Sequence, residues 1–376
     1  MRPIDSENQF KNSIADATWD NEELAQVKVK PLTGHTSSVN RCKFFNNDER
    51  ILSCDDSGYC FIWDSVYGSV LDSFQCHSDV IDWCDISQHH PSVFVSSSWD
   101  KNLSLWDTET GKKLFSCVQP TIVSACCIQE DGRVIASATE IDYAIHFHDI
   151  QSGTLIKTVK GMHGSSITSL AFQRCAEKIA STSFDGITKV LDMSFYENTI
   201  HFRGHSNVVS HAAFTYDDRK LVTGSWDKRI CIWDVATGEY RKEGPIFLDK
   251  GHDGSVSSCS FSPQDNMIVS SSYDTTVAIW DAIKCTQKLV LKGHTDWVND
   301  ASFSQDQQWI VSCSKDTNLR LWNIQDSERL KDVTTKTGTA VKVQLCQKCK
   351  KPFSTMSDDP DNNEQLRCVF CRVHST

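Results

Sequence analysis

Gly293-His294-Thr295-Asp296-Trp297-Val298, followed by Phe303, Ser312, Asp316 and Leu321-Trp322-Asn323, decides the fold, because the same order recurs when it is slid backward along the chain. Its histidine position falls at His35, His77, Gln119, His163, His205, His252 and His294, at spacings of 42, 42, 44, 42, 47 and 42 residues. Its tryptophan position falls at Trp63, Trp106, His148, Leu191, Trp233, Trp280 and Trp322. A repeat in the range of about 20 to 50 residues marks a unit that cannot bury its own apolar face and must stack on its neighbours.

Each period holds four short apolar segments separated by turn residues. In the sixth they are 255–262, 267–271, 276–281 and 287–291, all too short for a helix. The connections, such as Ser262-Pro263-Gln264-Asp265-Asn266, carry the residues that preset or tolerate turn backbone. Four-stranded antiparallel units follow. Arranged radially, they leave only short protected edges.

With Gly-His early, Trp-Asp late and a period near 42, residues 24 to 330 resemble the WD40 repeat family. The resemblance implies an all-β, seven-bladed β-propeller with repeats at about 33–75, 76–117, 118–160, 161–203, 204–250, 251–292 and 293–330. Residues 1–23 form an N-terminal extension, 331–345 a linker and 346–376 a small C-terminal module. Such a ring needs a closing strand. Residues 24–32, where Val27 and Val29 alternate with Lys28 and Lys30, are the expected one, with 339–345 as the competitor.

In the family, a His, a Ser or Thr, an Asp and a Trp of one repeat form a buried hydrogen-bonded chain. Repeats two (His77, Ser96, Asp100, Trp106), five (His205, Thr223, Asp227, Trp233), six (His252, Ser270, Asp274, Trp280) and seven (His294, Ser312, Asp316, Trp322) keep all four. Repeat one has Ser57 in the Asp position with Asp56 one place early, and repeat four has Leu191 for Trp. Repeat three is weakest, with Val118-Gln119 for Gly-His, Ala138 for Ser/Thr and His148 for Trp, although Asp142 remains. A His beside an Asp is also raw material for a hydrolase, but its recurrence around the ring reads as scaffold. With no Gly-rich phosphate loop, nucleophile elbow or His-Glu-x-x-His motif, the chain is read as a non-enzyme without a small-molecule substrate.

Propellers of this kind bind proteins on the narrow face, so the resemblance implies a protein or peptide partner there. The residues expected at that face include Trp99, Phe184, Trp226 and Tyr273, which precede the repeated Asp, and Val80, Val208 and Trp297, three places after the repeated His. Two places further on stands Asp82, a negative charge for a partner's Lys or Arg. Exposed aromatic side chains at a channel mouth have the character of a binding hot spot.

The net charge of −11 argues against general affinity for nucleic acid or anionic membrane, which both depend on basic surface. The charge is uneven: residues 331–376 hold eight Lys/Arg against five Asp/Glu, whereas residues 31–330 carry −12. No apolar run approaches membrane-span length. Seventeen cysteines, an odd number, thirteen of them scattered through strand-like segments, suit a reduced compartment, cytoplasmic or nuclear.

The other four cysteines form two Cys-x2-Cys pairs, Cys346/Cys349 and Cys368/Cys371, spaced for a four-thiolate zinc site that leaves no position for water and is therefore structural. The reading is a non-enzymatic interaction scaffold with a zinc module as second contact. The alternatives are a ubiquitin-ligase substrate receptor, whose usual Arg two places after Trp-Asp is missing in every repeat, and an RNA-associated scaffold acting through Lys348, Lys350, Lys351 and Phe353.

Overall fold

The computed structural model describes residues 27–235, 245–249, 251–325, 342–345 and 352–355. Within the first of its two compact units, residues 1–332, seven four-stranded antiparallel sheets form the blades of a propeller. Blade 1 runs Val39–Phe45, Arg50–Asp55, Tyr59–Asp64 and Val70–Gln75 from the channel outward. Blades 2 to 6 begin with inner strands Ile81–Ile86, Val123–Ile128, Ile167–Phe172, Val209–Phe214 and Val256–Phe261.

Blade 7 takes three strands, Val298–Phe303, Trp309–Ser314 and Asn318–Asn323, from the end of the ring, and its outer strand, Lys28–Thr33, from the beginning. Lys28 pairs with Asn323 and Thr33 with Asn318. The N-terminal segment is thus the clasp, starting at Lys28; residues 24–26 lie outside the described residues. The competitor is placed otherwise: in the second unit, Lys342–Leu345 pairs with Pro352–Thr355. Alternation explains the choice: Val27 and Val29 are 6% and 1% exposed and pack on one face with Met267, Ile310 and Trp322, while Lys28 between them is exposed and Lys30 beyond them half-buried. Leu32, on the other face, packs against blade 1.

The core lies between blades. Val39, Phe44, Ile51 and Trp63 of blade 1 pack with Val311, Leu319 and Leu321 of blade 7 and with Leu32 of the clasp. Second strands also bury hydroxyls, as in Ser96-Ser97-Ser98 and Ser270-Ser271-Ser272, all at 0% exposure. Buried polar groups need partners, and the repeated chain supplies them to the first serine of each run, Ser96 and Ser270. In blade 7, His294 Nδ1–H donates to Asp316 at 2.8 Å, Ser312 Oγ donates to His294 Nε2 at 2.8 Å, and Trp322 Nε1–H donates to Ser312 Oγ at 2.8 Å.

Blade 1 also completes this chain, which corrects the sequence reading. Its carboxylate is Asp55, not Asp56: His35 Nδ1 lies 2.7 Å from Asp55 Oδ2 and Trp63 Nε1 2.8 Å from Ser53 Oγ. Asp and Ser have exchanged places along the turn, and Ser57 Oγ donates back to Asp55 at 2.7 Å. Blade 3 is corrected too. Ser137, not Ala138, occupies the serine position, but with Gln119 and His148 in the other two slots its hydroxyl is buried without a partner, as is His148 Nδ1. Of the repeated chain blade 3 keeps a 3.4 Å contact between Gln119 and His148, while a separate set of bonds links Asp142 to Thr139 at 2.5 Å, Thr139 to His146 at 3.2 Å and His146 to Thr158 at 3.0 Å.

The candidate interaction cup

Every inner strand carries a β-bulge at its second residue: the register shifts between Val39 and Arg41, Ile81 and Trp83, Val123 and Ala125, Ile167 and Ser169, Val209 and His211, Val256 and Ser258, and Val298 and Asp300. A bulge places an extra residue in one strand and re-aims side chains. Strict alternation would hide this, because it sends neighbouring side chains to opposite faces. Here both Asn40 and Arg41, and both Asp82 and Trp83, line the channel.

The residues after the bulge close the channel. The Arg41 guanidinium sits 3.3 Å over the Trp83 ring, and Trp83 stacks on His211 from across the ring, 5.5 Å between centroids and 7° from parallel. Arg41 also pairs with Asp300 at 3.4 Å, and His211 Nδ1–H donates to the Cys259 carbonyl at 3.0 Å. Burial, helped by Arg41, pushes His211 down to about 4, so it stays neutral near pH 7. This tie divides the channel into a cup of about 440 Å³ at one end and a cavity of about 250 Å³ at the other, with Arg41 and Trp83 bordering both. Sequence reasoning missed these four residues. Reading the column Arg41, Trp83, Ala125, Ser169, His211, Ser258, Asp300 would have exposed its mixed aromatic and charged character.

One backbone hydrogen bond per blade builds the rim, joining the residue after strand two to the residue before the inner strand. Trp99 N–H donates to Val80, Phe184 to Ser166, Trp226 to Val208, Tyr273 to Ser255 and Lys315 to Trp297, at 2.9–3.0 Å. Blades 1 and 3 follow the pattern with Asp56 and Glu140. Blade 3 has one more residue in this turn, so Glu140 takes the slot that simple spacing gives to Ile141.

The expected site residues sort as follows. Trp99, Phe184, Trp226, Tyr273 and Asp82 line the cup. Trp297, 46% exposed, stacks on Tyr273 at 4.8 Å with Lys315 Nζ 4.5 Å from its ring centre. Phe184 and Trp226 meet edge-on at 5.6 Å. Trp99 and Phe184 remain 47% and 46% exposed, so pairing leaves substantial aromatic surface free. Val80 is half-buried, and Val208 keeps only 8% of its surface, so its place in the rim is chiefly through its backbone. Aromatic rim residues occupy blades 4 to 6, and carboxylates occupy blades 1 and 3 on either side of Asp82 and Trp99.

Asp82 accepts a 2.6 Å hydrogen bond from Trp99 Nε1–H. Burial pushes its carboxyl up to about 6; the Trp99 bond and Arg41 pull it down, while Asp56 and Glu140 add to the rise. The triad-like groups of the blades offer no chemistry to a substrate, because Ser53, Ser96, Ser181, Thr223, Ser270 and Ser312 are all at 0% exposure. Among the described residues no group of three or more His, Cys, Asp or Glu is placed to hold a metal ion. Cys346, Cys349, Cys368 and Cys371 lie outside the described residues.

The family model described as WD domain, G-beta repeat matches residues 26–64, 68–107, 153–192, 196–234, 244–281 and 284–323, together more than half of the chain. The unmatched interval contains most of blade 3, the blade that lacks the buried chain. Autophagy-related protein 16 of Arabidopsis thaliana is 25% identical over 224 residues, 58% of this chain and 43% of that protein. WD repeat-containing protein 88 of Homo sapiens is 36% identical over 168 residues, 44% of this chain and 35% of that protein. A guanine nucleotide-binding protein subunit beta of Nicotiana plumbaginifolia is 26% identical over 230 residues, 56% of this chain and 59% of that protein. The chain spans about a third to three-fifths of the length of these relatives. Six matched repeats and seven observed blades agree on one conclusion: the chain belongs to the WD40 family of propellers, whose members are generally non-enzymatic scaffolds.

Proposed function

We propose that this propeller is an interaction scaffold that holds an extended segment of a partner protein in the cup. The observation that carries the reading is the rim. Trp99, Phe184 and Trp297 expose about half of their surface around a concave, pre-formed site, and aromatic anchors in such sites supply most of the binding free energy in protein interfaces. The acidic sector of the same rim favours a basic segment. A nucleic acid or anionic membrane would meet repulsion from the −12 of residues 31–330. The test compares proteins captured by the intact chain with those captured by a Trp226→Ala/Trp297→Ala variant whose thermal unfolding is unchanged. Loss of specific partners supports the cup, and an unchanged set contradicts it.

The second contact in this proposal is a structural zinc module. The hairpin of Lys342–Leu345 with Pro352–Thr355 supports it, because Cys346 and Cys349 fall in the sequence between its strands, where two thiolates suit a single tight turn. Four thiolates would close a tetrahedral site around the ion. One zinc per chain by elemental analysis, lost in a Cys346→Ser/Cys368→Ser variant, is the expected result; a metal-free purified chain that does not take up added zinc contradicts it. Such a chain, with its buried thiols, is proposed to work in the cytoplasm or nucleus.

A further inference from the structure

The first residue of each bulge does the same thing in six of the seven blades: its side chain donates to the first inner-strand carbonyl of the next blade. Asn40 donates to Ile81 at 2.9 Å, Ser124 to Ile167 at 2.7 Å and Thr168 to Val209 at 2.5 Å. Ser210 donates to Val256 at 2.7 Å, Ser257 to Val298 at 2.6 Å and Asn299 to Val39 at 2.9 Å. The seventh position is Asp82. An ionised carboxylate has no hydrogen to give, and among the described residues no side chain donates to the corresponding carbonyl, Val123.

We propose that this break between blades 2 and 3 is a notch for a cationic N–H group, a lysine or arginine side chain of the partner segment, with Asp82 Oδ1 and the Val123 carbonyl oxygen as its acceptors and the Trp99 indole as one wall. The inference rests on the reading that the cup holds a partner. Asp82 Oδ2 is occupied by Trp99, whereas Oδ1 accepts no hydrogen bond among the described residues, and Asp82 borders the cup. Asp56 and Glu140, on the flanking rim slots, add negative potential. Arg41, whose charge acts on Asp82, is already held by Asp300 and by the Trp83 face. A carboxylate that burial holds near 6 is stabilised in its charged form when a cation arrives, so affinity should rise with pH through that value.

The test uses the full chain and three probes: the N-acetyl amides of arginine, lysine and glutamine. The readout is the indole N–H resonance of Trp99, identified by its loss in Trp99→Phe. The arginine or lysine probe should shift it, more strongly at pH 7.5 than at pH 5, and the better of the two names the head group. The glutamine probe should not. Asp82→Ser, the residue of three sister blades, and Asp82→Asn, that of two others, each restore a donor and should weaken the shift by about tenfold or more, as expected for loss of a charged hydrogen-bond partner. No shift with either cation, equal binding of the glutamine probe, or an unchanged response in both variants overturns the notch. Partner capture that survives Asp82→Ser but is lost with Trp226→Ala/Trp297→Ala overturns the notch and leaves the cup intact; capture that survives both overturns the cup.

Discussion

Replacing Asp82 by Asn should make the propeller more stable at neutral pH and should hardly change it in acid. Asp82 is held near pKa 6 by burial, against about 3.8 for a free carboxyl. Its folded pKa is raised, so the folded state binds the proton more tightly than the unfolded chain. The resulting penalty is absent below about pH 4, grows as pH rises through the window to 6, and is fully present above it. Two units at about 1.4 kcal/mol each give roughly 3 kcal/mol. Asn keeps an acceptor for Trp99 but loses the charge assistance, a loss of about 1 kcal/mol. It gains a donor for Val123, as Asn40 and Asn299 have for their neighbours. The expected net gain is about 2 kcal/mol at pH 7.5, shrinking to under about 1 kcal/mol at pH 4. Urea unfolding of both proteins at the two pH values measures it, provided the denaturant slopes agree. The difference between proteins matters because the His-paired carboxylates of Asp185, Asp227 and Asp316 run the other way. Burial opposes their ionisation, but the histidine hydrogen bonds, the histidine charge and backbone N–H donors together outweigh it and hold them at about 2, so their contribution is present above about pH 4 and lost as pH falls toward 2. That part cancels in the comparison. A gain of equal size at both pH values, or a loss at pH 7.5, would refute the reasoning.

In blade 7, His294→Ala leaves Asp316 buried without its partner and should destabilise by about 3 kcal/mol. Gln119→Ala in blade 3, which loses only a 3.4 Å contact, should cost under about 1 kcal/mol in the same denaturation assay. A chain beginning at residue 34 loses the clasp and exposes the Asn318–Asn323 edge, so it should elute as aggregates on size exclusion, whereas a chain ending at residue 325 should remain monodisperse and folded. Amide exchange should be fastest in the strands of blade 3, where Ser137 and His148 carry unpartnered buried atoms; uniform protection around the ring contradicts this.

The blade count and most of the aromatic rim were legible because they depend on single residues recurring at a constant spacing, and the clasp because Val27 and Val29 alternate with Lys28 and Lys30 ahead of the first repeat. What was not legible lies where a local event breaks the count. The extra residue in the turn after Thr139 makes spacing from its far side misplace the blade 3 serine by one, although 18 residues forward from Gln119, the interval from His294 to Ser312, lands on Ser137. In blade 1, the exchange of Asp55 and Ser57 preserves the hydrogen bonds while shifting the carboxylate by two residues. The Arg41–Trp83–His211 tie was hidden for a different reason. Its members are far apart in sequence, and each depends on a bulge that brings two consecutive side chains to the channel, which no simple period announces. The role of the Asp82 column was equally hidden, because Asn, Ser and Thr look like ordinary loop polarity until their donors are seen reaching the next blade.

The most direct measurement places a photo-crosslinking residue at Phe184, inside the cup, and at Ile283, 80% exposed in the turn at the opposite end of blade 6. After irradiation in cell extract, crosslinked proteins are identified by mass spectrometry. The account expects a specific partner from Phe184, reduced by added N-acetyl-arginine or N-acetyl-lysine amide, and none of it from Ile283. The same partner captured equally from both positions, or from Ile283 alone, would contradict the cup as the working surface.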